Sequence, residues 1–460
     1  MTYDLLIVGS GSAGAAAALE ATSRGARVAV VEGGVLGGTC VNVGCIPSKA
    51  LLRAAEAFHK AGHHPFQGIH TRTVKVELPA VIRQKEVLVE GLRRDKYAEV
   101  LEAAGISLIQ GEARFRDEET LEVNGRVYQA ERYVLATGAL PTLPPIPGLA
   151  ESQPWTYLEA LAPDTHPESL LVIGGGPIGL EIAQIYARLG TRVTVLEATP
   201  YLLPAEDPEL SSLLRGYLEE EGLAIQTGTR VQGVERQGEA FVVLTERETY
   251  RAQRLLVATG RRPRTQGLNL EAARVRLGPR GEVAVDEHLR STNPRIFAAG
   301  DVAGLPQFVY VAAQSGRVAA RNALGVGERE ALELKAVPRV TFTDPALATV
   351  GLTEEEARQH HGPGIRVSRL PLDQLPKALV QHDPRGLFKL VVDAQGTVLG
   401  LSILAPEAGD ALQEAVLAVR FGLHYRDLMD TFHPYLTLAE GIRLVAQALD
   451  TQVGMLSCCA

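Results

Sequence analysis

Apolar residues along this chain come in short runs that stop at glycine, separated by longer stretches with helical spacing. Residues 4–8 form one such run. Gly9-Ser10-Gly11-Ser12-Ala13-Gly14 follows it, then an Ala-rich stretch and a second run, 28–31, ending at Glu32. Strand, glycine turn, helix and acidic strand end, in that order, predict a dinucleotide-binding βαβ unit. Gly9 allows the tight turn, Gly11 lets the backbone approach a pyrophosphate at the helix N-terminus, and Gly14 lets helix pack closely on strand. Glu32 can then accept from a ribose hydroxyl. The pattern returns as the run 170–173, the turn Gly174-Gly175-Gly176-Pro177-Ile178-Gly179, a helix, and the run 193–196 ending at Glu197. One glycine-rich turn alone is weak evidence. Two in full context, each preceding an Ala-Thr-Gly strand end (136–138 and 258–260), predict two dinucleotides and an electron relay between them.

From about residue 336 the alternation changes. Strands near 339–343, 387–392 and 398–403 are separated by turns and followed by helices, which predicts an antiparallel α+β domain. The expected fold class is α/β, with two Rossmann-like dinucleotide-binding domains and a C-terminal α+β domain. The expected boundaries are 1–148 and 263–335 for the two parts of the first domain, 149–262 for the second, and 336–460 for the last. Pro/Gly-rich stretches near 144–148, 261–263 and 337–338 mark the joints.

Composition narrows the function. Hydrophobic residues make up 46% and charged residues 22%, the balance of a packed globular protein. A formal net charge of −8 without a basic cluster argues against nucleic acid as a partner. No apolar run approaches the roughly 20 residues of a membrane span. The N-terminus shows no leader pattern, so a cytoplasmic location away from membranes is expected.

The four cysteines fall in two close pairs, Cys40 with Cys45 and Cys458 with Cys459, which suits reactive or metal-binding thiols better than a disulfide scaffold. Cys40 and Cys45 lie just past Glu32, at the start of a predicted helix whose macrodipole lowers thiol pKa values. Five residues apart on a regular helix, they stand at about the upper limit for a disulfide. The helix start must therefore be distorted if they bridge, and Gly44 would permit that.

The string Gly37-Gly38-Thr39-Cys40-Val41-Asn42-Val43-Gly44-Cys45-Ile46-Pro47-Ser48-Lys49 resembles the redox-active segment of the flavoprotein disulfide reductases. The resemblance covers essentially the whole chain. It implies FAD in the first βαβ unit, NADH or NADPH in the second, and a C-terminal interface domain that forms a homodimer. It also implies that Cys45 faces the flavin and Cys40 exchanges with substrate. Lys49, paired with Glu181, is placed beside the flavin, and Asp301, at the end of the run 296–301, on the ribityl chain. The other implied cofactor-binding positions are Gly9, Gly11, Ser12, Ala13, Gly14, Glu32, Gly38, Thr39, Ala113, Thr137, Gly138, Gly174, Gly176, Ile178, Gly179, Glu197, Gly260 and Val309. Glu197 favours NADH, because a carboxylate accepts from a ribose 2′-hydroxyl and repels a 2′-phosphate. Pro177 stands where some relatives carry an aromatic gate over the nicotinamide.

The C-terminal region points to one branch of the family. Disulfide-reducing members carry a histidine five residues before a glutamate as their acid/base. Five residues before Glu440 stands Tyr435, and His433 is two positions further back. A phenol titrating near 10 shuttles protons poorly at neutral pH but can lie against or ligate a metal. Pro434-Tyr435-Leu436-Thr437 looks like the segment of mercury-reducing members. The ending Cys458-Cys459-Ala460 is similar to their tail. Adjacent Cα atoms lie about 3.8 Å apart, too close for an unstrained disulfide, so the pair suits a dithiol that captures a soft metal. The implied activity is reduction of Hg(II), presented as a thiol complex, to Hg(0). Cys458 and Cys459 of one subunit would deliver the metal to Cys40 and Cys45 of the other, with Tyr435 and Glu440 contributing to the site. A dihydrolipoamide dehydrogenase-like reductase, which would need His433 as its base, and a flavoprotein that only sequesters metal or senses redox state are the alternatives.

Overall fold

The computed structural model describes residues 2–325 and 327–455, and the chain divides into two compact units. The first comprises 1–51, 79–142 and 260–333; the second comprises 52–78, 143–259 and 334–460. Among the described residues no helix is long and apolar enough to cross a membrane.

The first unit is built on a seven-stranded sheet. Strands Ser107–Gln110, Val28–Glu32, Thr2–Val8 and Arg126–Leu135 run parallel in that order, and Ile296–Ala298 adds alongside Arg126–Leu135. Val28–Glu32 is buried at every position, as expected of a parallel strand covered on both faces. Helix Ser12–Ser23 buries a stripe of Ala13, Gly14, Ala17, Ala18 and Ala21. That stripe of small side chains lets helix Val309–Leu324 approach closely: a Cβ on Gly316 would stand 2.1 Å from the Ala13 carbonyl oxygen. Both helices therefore start at the C-terminal ends of the parallel strands, where open α/β sheets bind their ligands.

In the second unit a four-stranded parallel sheet, ordered Ala224–Gln226, Arg192–Leu196, Ser169–Ile173 and Arg254–Val257, carries the second glycine turn. A three-stranded antiparallel meander spans Val231–Gln237, Ala240–Thr245 and Thr249–Ala252. The C-terminal part is a five-stranded antiparallel sheet, ordered Arg339–Thr341, Ala346–Gly351, Val398–Ala405, Leu387–Val392 and Arg366–Pro371, in agreement with the expected α+β domain. Helix Glu440–Gln447 lies so close to this sheet that a Cβ on Gly441 would meet the Phe388 ring at 2.5 Å. Inside this unit the buried Lys389 Nζ lies 2.8 Å from Asp207 Oδ2, 2.9 Å from Glu209 Oε2 and 3.0 Å from Glu354 Oε2.

Candidate functional site

The first glycine turn is closed by sterics. Gly9 has φ +106°, and a Cβ there would stand 2.4 Å from the Ala136 carbonyl oxygen; at Gly14 it would stand 1.9 Å from the Gly9 oxygen. Gly11 caps helix Ser12–Ser23 without a side-chain hydrogen bond, so the first amides of a 12-residue helix stay open to an anion. Gly38 closes over this turn, its missing Cβ falling 2.6 Å from Gly11 Cα. Glu32 Oε2 accepts from the Ser10 amide at 2.9 Å and the Ser10 hydroxyl at 2.5 Å, while Oε1 accepts from the Gly34 amide at 2.7 Å. A cradle of bare backbone with a fixed carboxylate at its end fits the pyrophosphate and ribose of FAD.

A cleft opens beside this turn. Of the residues singled out in the sequence, Gly11, Ser12, Ala13, Thr39, Cys40, Cys45, Gly138, Asp301 and Val309 line it together. The helix carrying the thiols is broken although both cysteines are free: Gly38–Val43 ends at Gly44, with φ −129° and ψ −109°, and a new helix, Cys45–Gly62, begins at the second cysteine. Cys40 thus sits within the short helix and Cys45 at the N-terminus of the long one. A hydrogen bond to Cys45 and, next, burial push the Cys40 thiol well above the usual range, opposed in part by Lys49. Lys49 stands one turn beyond Cys45 on the same helix.

Two further residues bear on the site, Arg261 in the cleft lining and Tyr97 outside it. Burial raises the Asp301 carboxyl even though Arg261 Nη1 stands 2.7 Å from its Oδ2. Arg261, a cleft residue absent from the sequence-based set, also donates to the Ala139 carbonyl at 2.9 Å. Tyr97 is the other unforeseen residue. It lies on a π-helical turn, Arg94–Ala98, and its ring packs against Gly37. Burial raises its pKa first, and the two thiols add to the rise, so it stays a neutral phenol beside them. Val309 begins the uncapped helix Val309–Leu324. Thr137 donates its hydroxyl to the Arg264 carbonyl at 2.6 Å, and Ala113 lies buried in strand Ala113–Phe115, outside the cleft lining.

The second unit repeats the turn. Gly174 has φ +111°, and a Cβ on Gly179 would stand 2.1 Å from the Gly174 oxygen. Gly176 caps helix Pro177–Arg188, with Pro177 and Ile178 in its first turn. Gly260, with φ +135°, follows strand Arg254–Val257 after two residues. Glu197 Oε2 accepts from the Gly175 amide at 2.7 Å. Glu181 is buried and its Oε1 accepts from the Phe342 amide at 3.0 Å. Near the C-terminus, Tyr435 is 56% exposed, whereas the buried Glu440 begins its helix with Oε2 lacking a hydrogen-bond partner among the described residues. His433 is held at both ring nitrogens: Nε2 lies 2.9 Å from Glu414 Oε2, and Nδ1 lies 2.9 Å from the Thr431 carbonyl. Cys458 and Cys459 lie outside the described residues.

Two dinucleotide cradles and a dithiol beside the first define a flavin-linked redox enzyme. Residues 3–316 match the family model of pyridine nucleotide-disulphide oxidoreductases, and 337–446 match the dimerisation domain of that family. The chain belongs to this family and uses FAD with a nicotinamide nucleotide. Within it, the chain is 46% identical over its full length to a mercuric reductase of Staphylococcus aureus, covering 84% of that protein. It is 45% identical over its full length to a mercuric reductase of Streptomyces lividans, covering 98% of that one. A solved structure, the HOCl-induced flavoprotein disulfide reductase RclA from Escherichia coli, superposes with a TM-score of 0.89 at 31% identity, over 97% of this chain and all of that one.

Proposed function

We propose that this protein reduces mercuric ion: NAD(P)H + Hg(II) gives NAD(P)⁺ + H⁺ + Hg(0). The observation that carries the proposal is that Cys40 and Cys45, both free, line one cleft together with the dinucleotide cradle. FAD, when bound there, supplies the hydride acceptor that links nicotinamide to dithiol.

The chain's own residues handle the metal. Cys40, the thiol expected to exchange with substrate, displaces one thiolate from the incoming Hg(II) complex, and Cys45 displaces the second, the departing thiolates taking up the protons that the cysteines release. Two soft sulfur ligands suit a soft metal, and the Lys49 charge favours the ionised forms. The neutral Tyr97 can donate to a metal-bound thiolate. Tyr435, half exposed in the dimerisation domain, would act on the partner subunit's site in a homodimer, where Cys458 and Cys459 would deliver Hg(II). Glu440, with one carboxylate oxygen open, belongs to the same segment. His433 is taken up by Glu414 and Thr431, which argues against the proton shuttle an organic disulfide would require. A cytoplasmic location suits this chemistry, since the dithiol must be kept reduced.

The test is a substrate panel. The FAD-loaded enzyme should oxidise nicotinamide nucleotide anaerobically with Hg(II)-thiol complexes and turn over lipoamide and glutathione disulfide far more slowly. Turnover with a disulfide alone would sink the proposal.

A further inference from the structure

The two glycine turns are held from behind by different means. In the first unit Ser10 takes the Gly37 amide at its hydroxyl, 3.0 Å away, so the segment that closes over the turn belongs to the thiol-bearing stretch itself. The matching position in the second unit is Gly175, which has no side chain for this task, and its backbone takes over. The Gly175 amide donates to Glu197 Oε2 at 2.7 Å, and the Gly175 carbonyl accepts from the Leu203 amide at 3.0 Å. The Leu203 carbonyl in turn accepts from the Glu206 amide at 2.8 Å. The Glu206 carboxylate is then gripped by two strands of the C-terminal sheet, Arg339–Thr341 and Ala346–Gly351. Arg339 donates from Nε to Oε1 at 2.9 Å and from Nη2 to Oε2 at 3.1 Å, and the Thr349 hydroxyl donates to Oε2 at 2.7 Å. A line of hydrogen bonds thus runs from the segment matched as a dimerisation domain to the middle of the second glycine turn.

The line contains a point of strain. Leu203 has φ +48°, in the left-handed region that a leucine avoids, and it is 2% exposed. Its neighbour Leu202 is equally buried and presses on the turn: a Cβ on Gly175 would stand 2.7 Å from Leu202 Cδ2. A residue in such a conformation persists only where its surroundings fix it. Here the fixed points are the turn on one side and the gripped Glu206, three residues on, at the other. Glycine backbone also has the most conformational freedom to lose, so the turn Gly174-Gly175-Gly176 binds a pyrophosphate well only if something else orders it beforehand. With both backbone polar groups of Gly175 engaged inward, the turn presents the start of helix Pro177–Arg188 in one orientation.

We propose that Glu206, gripped by Arg339 and Thr349, is a positioning residue for the nicotinamide nucleotide, through which the C-terminal sheet orders the second glycine turn. The proposal rests on that turn being where the nucleotide binds in the proposed reductase. NAD⁺ and NADP⁺ are titrated separately by calorimetry into the FAD-loaded protein, without mercury. For whichever binds more tightly, Glu206→Gln should raise Kd about fivefold or more, with kcat at saturating nucleotide within about twofold of the parent. Arg339→Gln should raise Kd by as much, and the double variant by no more than either alone, because both cut one link. Thr349→Val, a smaller cut at the same carboxylate, should raise it about two- to threefold and serves if the other variants fail to fold. Arg369→Gln is the comparison: it removes a partner of Glu209, past the end of the line, and should lower stability without moving Kd. An unchanged Kd in folded Glu206→Gln or Thr349→Val would overturn the proposal, and so would a rise in Arg369→Gln equal to that in Arg339→Gln. Gly179→Ala tells the two ideas apart. If it abolishes binding while Glu206→Gln does not weaken it, only this inference falls; if it leaves binding intact, the nucleotide sits elsewhere and the reading of the turn falls with it.

Discussion

Replacing Tyr97 with phenylalanine tests whether the cleft works as a unit. The ring would keep its packing, since Gly37 meets Tyr97 at Cγ and Cδ2, and only the hydroxyl would go. Burial keeps this phenol protonated, so at neutral pH it has a proton to donate. The acceptor on offer is a thiolate or a metal-bound thiolate of the Cys40–Cys45 pair, whose charges contribute to the raised pKa of Tyr97. A hydrogen bond to a charged acceptor contributes about 1.5–3 kcal/mol. If it is made in the transition state, its loss lowers kcat/KM by about 10- to 150-fold. The assay is anaerobic nicotinamide oxidation against a Hg(II)-thiol complex, with FAD content and the thermal midpoint measured in parallel. A fall of less than about threefold in a fully loaded, equally stable variant would show that the hydroxyl makes no such bond.

His433→Gln should retain Hg(II) turnover within about threefold while losing roughly 1–3 kcal/mol of stability, because Glu414 loses a partner; collapse of turnover in a stable protein would restore His433 as an acid/base. Gly14→Ala should yield protein without bound FAD, since the new methyl falls 1.9 Å from the Gly9 oxygen; a full complement of flavin absorbance would contradict the cradle. Lys389→Met should cost about 3–5 kcal/mol in urea unfolding by stranding the buried Asp207; a neutral result would show that water reaches the cluster. The same cluster gives an acid dependence. Burial would raise the Glu354 carboxyl, but Arg358 and Lys389 outweigh it and hold it at about 2. This depressed value stabilises the fold above the ordinary carboxylate range, and the contribution is lost as pH falls from about 4.5 towards 2; an acid unfolding profile unchanged in Lys389→Met would refute that coupling.

The two nucleotide cradles were legible in the sequence because their demands are local: a missing Cβ at Gly9, Gly14, Gly174 and Gly179 and an acid at each strand end are set within about 25 residues. The break between Cys40 and Cys45 was legible for the same reason, as Gly44 lies between them. Tyr97 was not. It stands 52 positions past Cys45, in a charged stretch without apolar periodicity, and a π-turn aims it in a way that no residue pattern announces. Arg261 was read only as a joint between domains, because its partner Asp301 is 40 residues away and only the fold brings them together. Strands Ala346–Gly351 and Arg366–Pro371 escaped notice as well, being rich in small or charged residues and held in place by pairing with Val398–Ala405 and Leu387–Val392. His433 shows the converse: the sequence left its surroundings open, and the fold places its Nε2 against Glu414 and its Nδ1 against the Thr431 carbonyl.

The most direct test of the central claim is the release of volatile mercury by the FAD-loaded protein, supplied with NADH and a Hg(II)-thiol complex under anaerobic conditions, beside its Cys45→Ala variant. The account predicts Hg(0) evolved in step with NADH consumed by the parent and none above background from the variant, which retains its flavin. Equal mercury release by both, or consumption of NADH without any, would contradict it.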